Sequence, residues 1–228
     1  MILACISFLV TIASYIGAKI LYRKCKKFFL SPLVTCPVAL IGLLLSLNIS
    51  YDVYNIGTQW ITDMLQPAMV AFAIPLYKYH KLLKQYALEI FIGVFGGSII
   101  AVLSSVMYGK MFHLNPQLLD SLAPRSVTTP IAIDISQTLG GLPTMTAVFV
   151  ILTGVIGLVV APIILKWLPI KHEVSKGLLL GMGAHGAGAS KAYEIGSIEG
   201  AIASLTIIIA GFITIMIAPL LVPVIVSL

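Results

Sequence analysis

Long apolar runs separated by short polar clusters set the pattern of this chain. The runs are about 20 residues long, the length that an α-helix needs to cross the hydrocarbon core of a membrane. We therefore predict an all-α integral membrane protein, a helical bundle of about six to eight membrane segments forming one domain over residues 1–228. Uninterrupted helices are predicted at residues 2–21, 30–48, 57–78, 84–108, 142–166 and 199–227, and broken segments at 117–138 and 175–196.

The two broken segments carry Pro or Gly, hydroxyl groups and an ionisable side chain within apolar runs. They read Leu122-Ala-Pro-Arg-Ser-Val-Thr-Thr-Pro-Ile131 and Leu180-Gly-Met-Gly-Ala-His-Gly-Ala-Gly-Ala-Ser-Lys191. Backbone at membrane depth leaves the helical form only where protein or a water-filled cavity satisfies its polar groups. Paired interruptions in the two halves of a chain point to the binding site of a transporter. The breaks are therefore the predicted functional site.

The composition fits a membrane protein. Hydrophobic residues make up 59% of the chain and charged residues 10%, with a mean hydropathy of +1.07, whereas soluble domains carry about 25% charged residues. The net charge of +6 lies in short clusters between the predicted spans. That distribution favours contact with membrane lipid and argues against nucleic-acid binding. The three cysteines show no metal or redox spacing, so neither a metal nor a cofactor is expected.

The basic residues also predict a topology. If each broken segment enters and leaves on one face, eleven basic residues lie in cytoplasmic loops and Lys110 alone lies outside. If the first broken segment crosses fully, the ratio falls to eight against four. The positive-inside rule favours the re-entrant arrangement, with the N-terminus outside. The two segments then enter from opposite faces, as in an inverted repeat.

Arg125 is the sharpest residue of the first break. An arginine within a span costs at least about 2.5–3.5 kcal/mol on insertion scales, so something must compensate it. We predict that Thr129 caps a half-helix that opens with Pro130. The guanidinium, the Ser126, Thr128 and Thr129 hydroxyls and the positive helix end together suit a small carboxylate or phosphate.

A structural role for Arg125 is the alternative. Its partner would then be Asp134, Asp120 or a backbone carbonyl near an interface. Asp134 lies nine residues after Arg125 on the same half-helix. We interpret it as the internal partner of Arg125 rather than as a proton or cation carrier.

The second break combines small residues with His185. Gly183, Gly186 and Ser190 let a helix or a substrate approach the backbone closely. Tight helix packing explains the glycines alone, but it does not explain the histidine, which can bind an anion or relay a proton. Lys191 and Glu194 stand three residues apart and are expected to neutralise each other.

Several motifs in this order resemble the LrgB/CidB family over about residues 10–226. They are Pro124-Arg-Ser-Val-Thr-Thr-Pro130, Gln66-Pro67 with Pro75-Leu-Tyr-Lys78, Gly183-Ala-His-Gly-Ala-Gly188 with Lys191-Ala-Tyr-Glu194, Ser50-Tyr51-Asp52 with Tyr54, Gly140-Gly141, and Glu199-Gly-Ala with Ser204.

The resemblance implies two possible kinds of function. Some relatives are holin- or antiholin-like proteins that modulate murein hydrolases, autolysis and programmed cell death. Others move small carboxylates, namely a bacterial pyruvate system and the plastid glycolate/glycerate translocator. The resemblance also implies a bacterial cell membrane and a small LrgA- or CidA-like membrane partner. Self-association, with a dimer as the commonest outcome, is expected besides.

The residues favour a carrier of small monocarboxylates that works by alternating access around the two breaks. A holin- or antiholin-like assembly is the alternative. An enzyme is not expected: the chain has no His-Glu-x-x-His motif, and Ser190 and His185 on one broken segment form a poor catalytic pair.

Overall fold

The structure, a computed structural model, describes residues 2–25, 30–71 and 73–227. It divides into two compact units, Met1–Val70 and Ala71–Leu228. Lys26 and Lys27 of the basic cluster, and the side chains of Gln66 and Pro75, lie outside the described residues. The described chain is helical throughout its regular elements, as the hydrophobic pattern predicts.

The first unit is built around α1 (Ile2–Cys25), which packs against α2 (Pro32–Ser46) and α3 (Tyr51–Asp63). Gly57 of α3 lies against the backbone of Ala4, so close that a Cβ there would collide with the Ala4 carbonyl. The Thr11 and Tyr54 hydroxyls share a 2.7 Å hydrogen bond between the same two helices. A glycine contact and a polar contact thus join α1 to α3.

The predicted single helix over residues 57–78 is wrong. The chain forms α3, then α4 (Leu65–Ala71) and α5 (Ala73–Lys78), followed by α6 (His80–Gln85). Pro67 is the third residue of α4, which begins after Met64 caps the end of α3. A proline lacks the N–H that continues a helix, but first-turn N–H groups have no helical partner, so the chain restarts there.

The second unit contains three long helices close to their predicted bounds, α7 (Ala87–Met111), α10 (Pro143–Trp167) and α12 (Ser197–Ser227). Among the described residues, these and Ala4–Cys25 are the four helices long and apolar enough to cross a membrane. Large apolar side chains remain exposed on them, for example Ile156 and Phe212. Such faces suit lipid rather than water, so this is a membrane protein.

The first broken segment forms α8 (Pro116–Leu122) and α9 (Thr129–Leu139), joined by the non-helical residues 123–128. Gly140 ends α9 in the left-handed conformation, with a φ of 99°. The Leu142 N–H then donates to the Ser121 hydroxyl at 2.7 Å. Because the end of α9 returns to the side of α8, this segment is a hairpin whose tip is the break.

The second broken segment, α11 (Glu173–Ile195), bends at His185, where φ is 41° and ψ is −125°. A Cβ on Gly188 would collide with the Leu180 carbonyl. Residues eight positions apart are separated by about 12 Å along a straight helix. This close approach therefore shows that the two halves of α11 fold back on each other at His185.

The packing of α11 against α12 fixes the direction of this hairpin. Gly177 lies against Ile202, and Gly181 against Ala203, so the first half of α11 runs parallel to α12. The second half ends at Ile195, immediately before α12 begins. The chain therefore leaves the hairpin on the side from which it entered. One hairpin precedes α10 and the other follows it, so they reach the interior from opposite ends of that helix.

Alanine substitutions at two glycines of this hairpin should differ sharply. Gly188→Ala places a methyl group on the Leu180 carbonyl, and such overpacking costs about 1–3 kcal/mol. Gly186 has open space around it. We expect Gly188→Ala to lower the thermal unfolding midpoint of the detergent-solubilised protein by several degrees, and Gly186→Ala to leave it near wild type. Equal midpoints for the two variants would contradict the hairpin.

Candidate functional site

Arg125 lies in the tip of the first hairpin and reaches two other helices. Its Nε donates a 2.8 Å hydrogen bond to the Ser105 hydroxyl of α7. One terminal nitrogen makes a longer contact of 3.5 Å with the Thr153 hydroxyl of α10. The side chain is half-buried. The guanidinium thus ties the hairpin tip to two membrane-length helices.

Both hydroxyls are oriented to accept from the guanidinium. The Ser105 hydroxyl donates to the Ala101 carbonyl at 2.6 Å, and the Thr153 hydroxyl donates to the Phe149 carbonyl at 2.8 Å. With each proton committed to the backbone, the oxygen lone pairs face Arg125. These contacts give the guanidinium two hydrogen-bond acceptors, but neither hydroxyl carries a negative charge.

The predicted ion pair between Arg125 and Asp134 is wrong. No ion pair joins Arg125 to Asp134 or Asp120 in the described part of the chain. Asp134 is exposed, because the period of α9 directs it away from the buried face that carries Ala132 and Ser136. Among the described residues, the positive charge of Arg125 therefore has only neutral hydrogen-bond partners.

His185 occupies the tip of the second hairpin and lies beside Arg125. The residue is 4% exposed and lies near Arg125. Nε2 is buried without a hydrogen-bond partner. A positive φ in a residue other than glycine is strained, and such strain gathers at functional sites. The structure thus brings together the two ionisable residues that the sequence singled out.

Gly157 of α10 allows this approach, and Gly154 lies beside it. A Cβ on Gly157 would collide with the Gly183 carbonyl and with Ala184. A Cβ on Gly154 would lie 3.8 Å from Nδ1 of His185. Close backbone packing through small residues is the usual way in which membrane helices meet. The middle of α10 is therefore the surface on which both hairpin tips lie.

The other residues predicted in the first break line its exit. Thr128, rather than the predicted Thr129, is the N-cap of α9, and the helix begins at Thr129 with Pro130 behind it. The cap shifts by one residue because a proline fits anywhere in the first turn. Ser126, Thr128 and Thr129 are half-buried, at the positive end of the α9 dipole.

The other residues predicted around the second break are exposed or half-buried. Gly183, Gly186 and Ser190 are exposed, and the Ser190 hydroxyl donates to the Gly186 carbonyl at 3.2 Å. Lys191 and Glu194 form the expected ion pair at 2.7 Å. Among the described residues, neither the Ser190 hydroxyl nor the Glu194 carboxylate bonds to Arg125. In contrast to His185, Gly186, Ser190 and Glu194 are exposed.

Sequence reasoning missed Ser105, Thr153, Gly154 and Gly157. Their signal was a hydroxyl or a pair of small residues in the middle of an apolar helix, which is also the signature of ordinary helix packing. Only the folded arrangement distinguishes the two roles. No group of metal-ligating side chains occurs in residues 2–25, 30–71 and 73–227.

Comparison with known proteins identifies the family. A model of the LrgB-like family matches residues 11–224. The chain belongs to the LrgB-like family. Its similarity to the uncharacterized protein YwbG of Bacillus subtilis (strain 168) is 48% identity over 221 residues, 97% of this chain and 98% of that protein. The resemblance inferred from the motifs is therefore confirmed.

A second LrgB-like relative carries a functional name. The antiholin-like protein LrgB of Bacillus cereus (strain B4264) is 35% identical over 215 residues, which cover 94% of each chain. The protein YxaC of Bacillus subtilis (strain 168) is 36% identical over 220 residues, 96% of each chain. No solved structure matches the chain.

Neighbouring serines on α7 offer a matched test of the Arg125 contacts. Ser104 and Ser105 both donate to the Ala101 carbonyl, but only Ser105 accepts from Arg125. Hydrogen bonds to charged groups contribute about 1.5–3 kcal/mol. We expect Ser105→Ala to lower the free energy of unfolding by about this amount, and Ser104→Ala to cost less than about 0.5 kcal/mol.

A double-mutant cycle separates the contact from local packing. In an Arg125→Gln background, the cost of Ser105→Ala should shrink by about 0.5–3 kcal/mol, because the guanidinium that it serves is gone. An unchanged cost in that background would show that Ser105 does not hold Arg125.

Proposed function

We propose that this protein carries small monocarboxylates, of the pyruvate, glycolate and glycerate type, by alternating access around the two hairpin tips. The observation that carries the proposal is the juxtaposition of Arg125 and His185 in the interior of a membrane protein, with no carboxylate paired to the guanidinium among the described residues.

The charge of Arg125 favours an anion. A guanidinium has five N–H donors, and the described hydrogen bonds use two of them. A cation at membrane depth with neutral partners lacks the compensation that such residues usually have. A small carboxylate would supply the charge and accept paired hydrogen bonds from the guanidinium.

The start of α9 adds to the same attraction. Its eleven residues begin at Thr129, at the end of the break that holds Arg125. The first N–H groups of a helix have no helical partner and carry the positive end of its dipole. Discontinuous helices in transporters direct these ends toward anionic substrate groups. An anion beside Arg125 would therefore also be attracted by the positive end of the α9 dipole.

The hairpins supply a way to alternate access. Each tip contributes one residue of the site, and the hairpins enter from opposite ends of α10. Movement of one hairpin would open the site to one side, while the other hairpin keeps it closed. This is the arrangement around which many carriers operate.

The second candidate function is that of a holin- or antiholin-like modulator of murein hydrolase export and autolysis. The name of the Bacillus cereus relative, antiholin-like protein LrgB, favours it. A pore-forming assembly would not need a charged residue held between two hairpin tips. Altered carboxylate flux or proton motive force would also link a carrier to lysis.

The location of the protein, its orientation and its partners are part of the same proposal. We place the protein in the bacterial cell membrane with its N-terminus outside, because that orientation puts the basic clusters in the cytoplasm. Partners would be a small LrgA- or CidA-like membrane protein and a second copy of this chain.

Uptake into proteoliposomes tests the carrier. Labelled pyruvate, glycolate, glycerate and lactate would be offered to wild type, Arg125→Lys and Arg125→Ala, with and without a pH gradient. We expect saturable uptake that falls about 100-fold in Arg125→Ala, since truncating one partner of a buried charged pair costs about 2–5 kcal/mol. Arg125→Lys keeps the charge but not the paired hydrogen bonds and should fall between them.

The same vesicles distinguish the second candidate. Unselective leakage of large dyes that is unchanged in Arg125→Ala, without saturable carboxylate uptake, would refute the carrier and support the holin-like assembly.

A further inference from the structure

Two groups of lysines lie at one end of the second unit. One group precedes α7 and the other surrounds the start of α11: Lys78, Lys81, Lys84, Lys166, Lys171 and Lys176. Gly93 of α7 lies beside Leu178 of α11 and, one turn later, Gly97 lies beside Met182. The two helices therefore run side by side in the same direction, and their starts lie at the same end.

Two contacts join the segments that carry these lysines. The Tyr86 ring, just before α7, meets the His172 ring, just before α11, edge to face with their centroids 5.4 Å apart. Ile90 and Val174, in the first turns of the two helices, belong to one buried apolar cluster, and Leu82 of α6 packs against it. The two lysine groups are thus parts of a single surface.

The lysine side chains of this surface are available to a partner. Lys176 is half-buried, and the other five are exposed. Among the described residues, none of the six forms an ion pair with an acidic side chain. Their ammonium groups are therefore free of protein counter-charges.

Four glutamates at the same end do not cancel this charge. Glu89 and Glu173 are exposed, and Glu199 is buried in the first turn of α12. Glu194 is neutralised by its ion pair with Lys191. Six unpaired lysines thus stand against three unpaired glutamates, so the surface has an excess of positive charge.

Exposed aromatic side chains place this surface at the level of lipid headgroups. Tyr77 and Lys78 end α5, and Lys166 and Trp167 end α10. Tyr77 is 82% exposed and Trp167 is 84% exposed. Tyrosine and tryptophan gather where the hydrocarbon core meets the headgroups. Lysines at that depth can donate charge-assisted hydrogen bonds to phosphate oxygens.

We propose that this basic surface binds anionic phospholipids of the adjoining leaflet through their phosphate groups. The leaflet is the cytoplasmic one in the orientation proposed above, and the cytoplasmic leaflet is the one whose negative surface potential attracts basic segments. The bound lipid would contact both α6 and the connection between α10 and α11. The inference does not depend on the carrier, because it concerns a different surface of the unit.

Quenching of Trp167 by brominated lipids tests this proposal. The chain has two tryptophans, so the full-length Trp60→Phe variant leaves Trp167 as the only one. Bromine atoms on an acyl chain quench a tryptophan that the lipid contacts. The variant would be reconstituted in mixtures of phosphatidylglycerol and phosphatidylcholine, with one or the other lipid brominated. We expect at least about a fivefold preference for phosphatidylglycerol beside Trp167, which is the effect of about one lysine near a membrane surface.

Variants of the lysines assign that preference to their charge. The preference should fall below about twofold when all six changes are combined: Lys78→Gln, Lys81→Gln, Lys84→Gln, Lys166→Gln, Lys171→Gln and Lys176→Gln. Arginine at the same six positions keeps the charge and should retain the preference. Glutamine in either group of three alone should remove part of it, and these variants provide the test if the sixfold variant does not fold.

Trp60 provides the control for position. It lies on α3, which carries no lysine or arginine, and shares a groove with Ala4 and Phe8 of α1. In Trp167→Phe, the two lipids should quench Trp60 equally. An equal preference for phosphatidylglycerol at both tryptophans would overturn the proposal. Equal quenching of Trp167 by the two lipids, or a preference that survives in all the glutamine variants, would overturn it as well.

Discussion

An arginine held in the interior of a membrane protein by neutral hydroxyls is the constraint on which the rest of this structure depends. Ser105 and Thr153 fix the guanidinium, but they leave its charge uncompensated. Burial of a charge without an opposite charge is costly. The cost is consistent with a site that is completed by an anionic ligand rather than by the protein itself. The break in the first hairpin, Gly157 of α10 and the bend at His185 bring Arg125 and His185 near each other.

The two hairpins convert this constraint into a candidate mechanism. In each hairpin, the backbone leaves the helical form only where other helices pack against it. The absence of water at membrane depth requires this packing. Their tips meet near the middle of α10, at Thr153 and Gly154. In the carrier that we propose, a ligand there would touch both hairpins at once. Release to either side then requires one hairpin to separate from the other, which is the physical basis of coupling between binding and movement.

The sequence predicted the long helices, the two breaks and their ionisable residues, because hydropathy and broken runs are local properties. The break between α3 and α4 was missed, since Pro67 is compatible with either a bent helix or a new one. The Asp134 pairing failed because helical period, not sequence distance, decides which face a side chain takes. Ser105 and Thr153 were invisible because their role depends on contacts 20 and 28 residues away from Arg125 along the chain.

Equilibrium binding tests the central claim most directly. Lactate would be titrated into the purified, detergent-solubilised protein, and the heat of binding would be measured by calorimetry. This experiment requires neither a partner protein nor a membrane gradient. Arg125→Ala would be measured beside it, after its folding has been verified by thermal unfolding. The account predicts one saturable site per chain in the wild type and loss of that binding in Arg125→Ala. Equal binding by both proteins would contradict it, because the anion would then lie elsewhere.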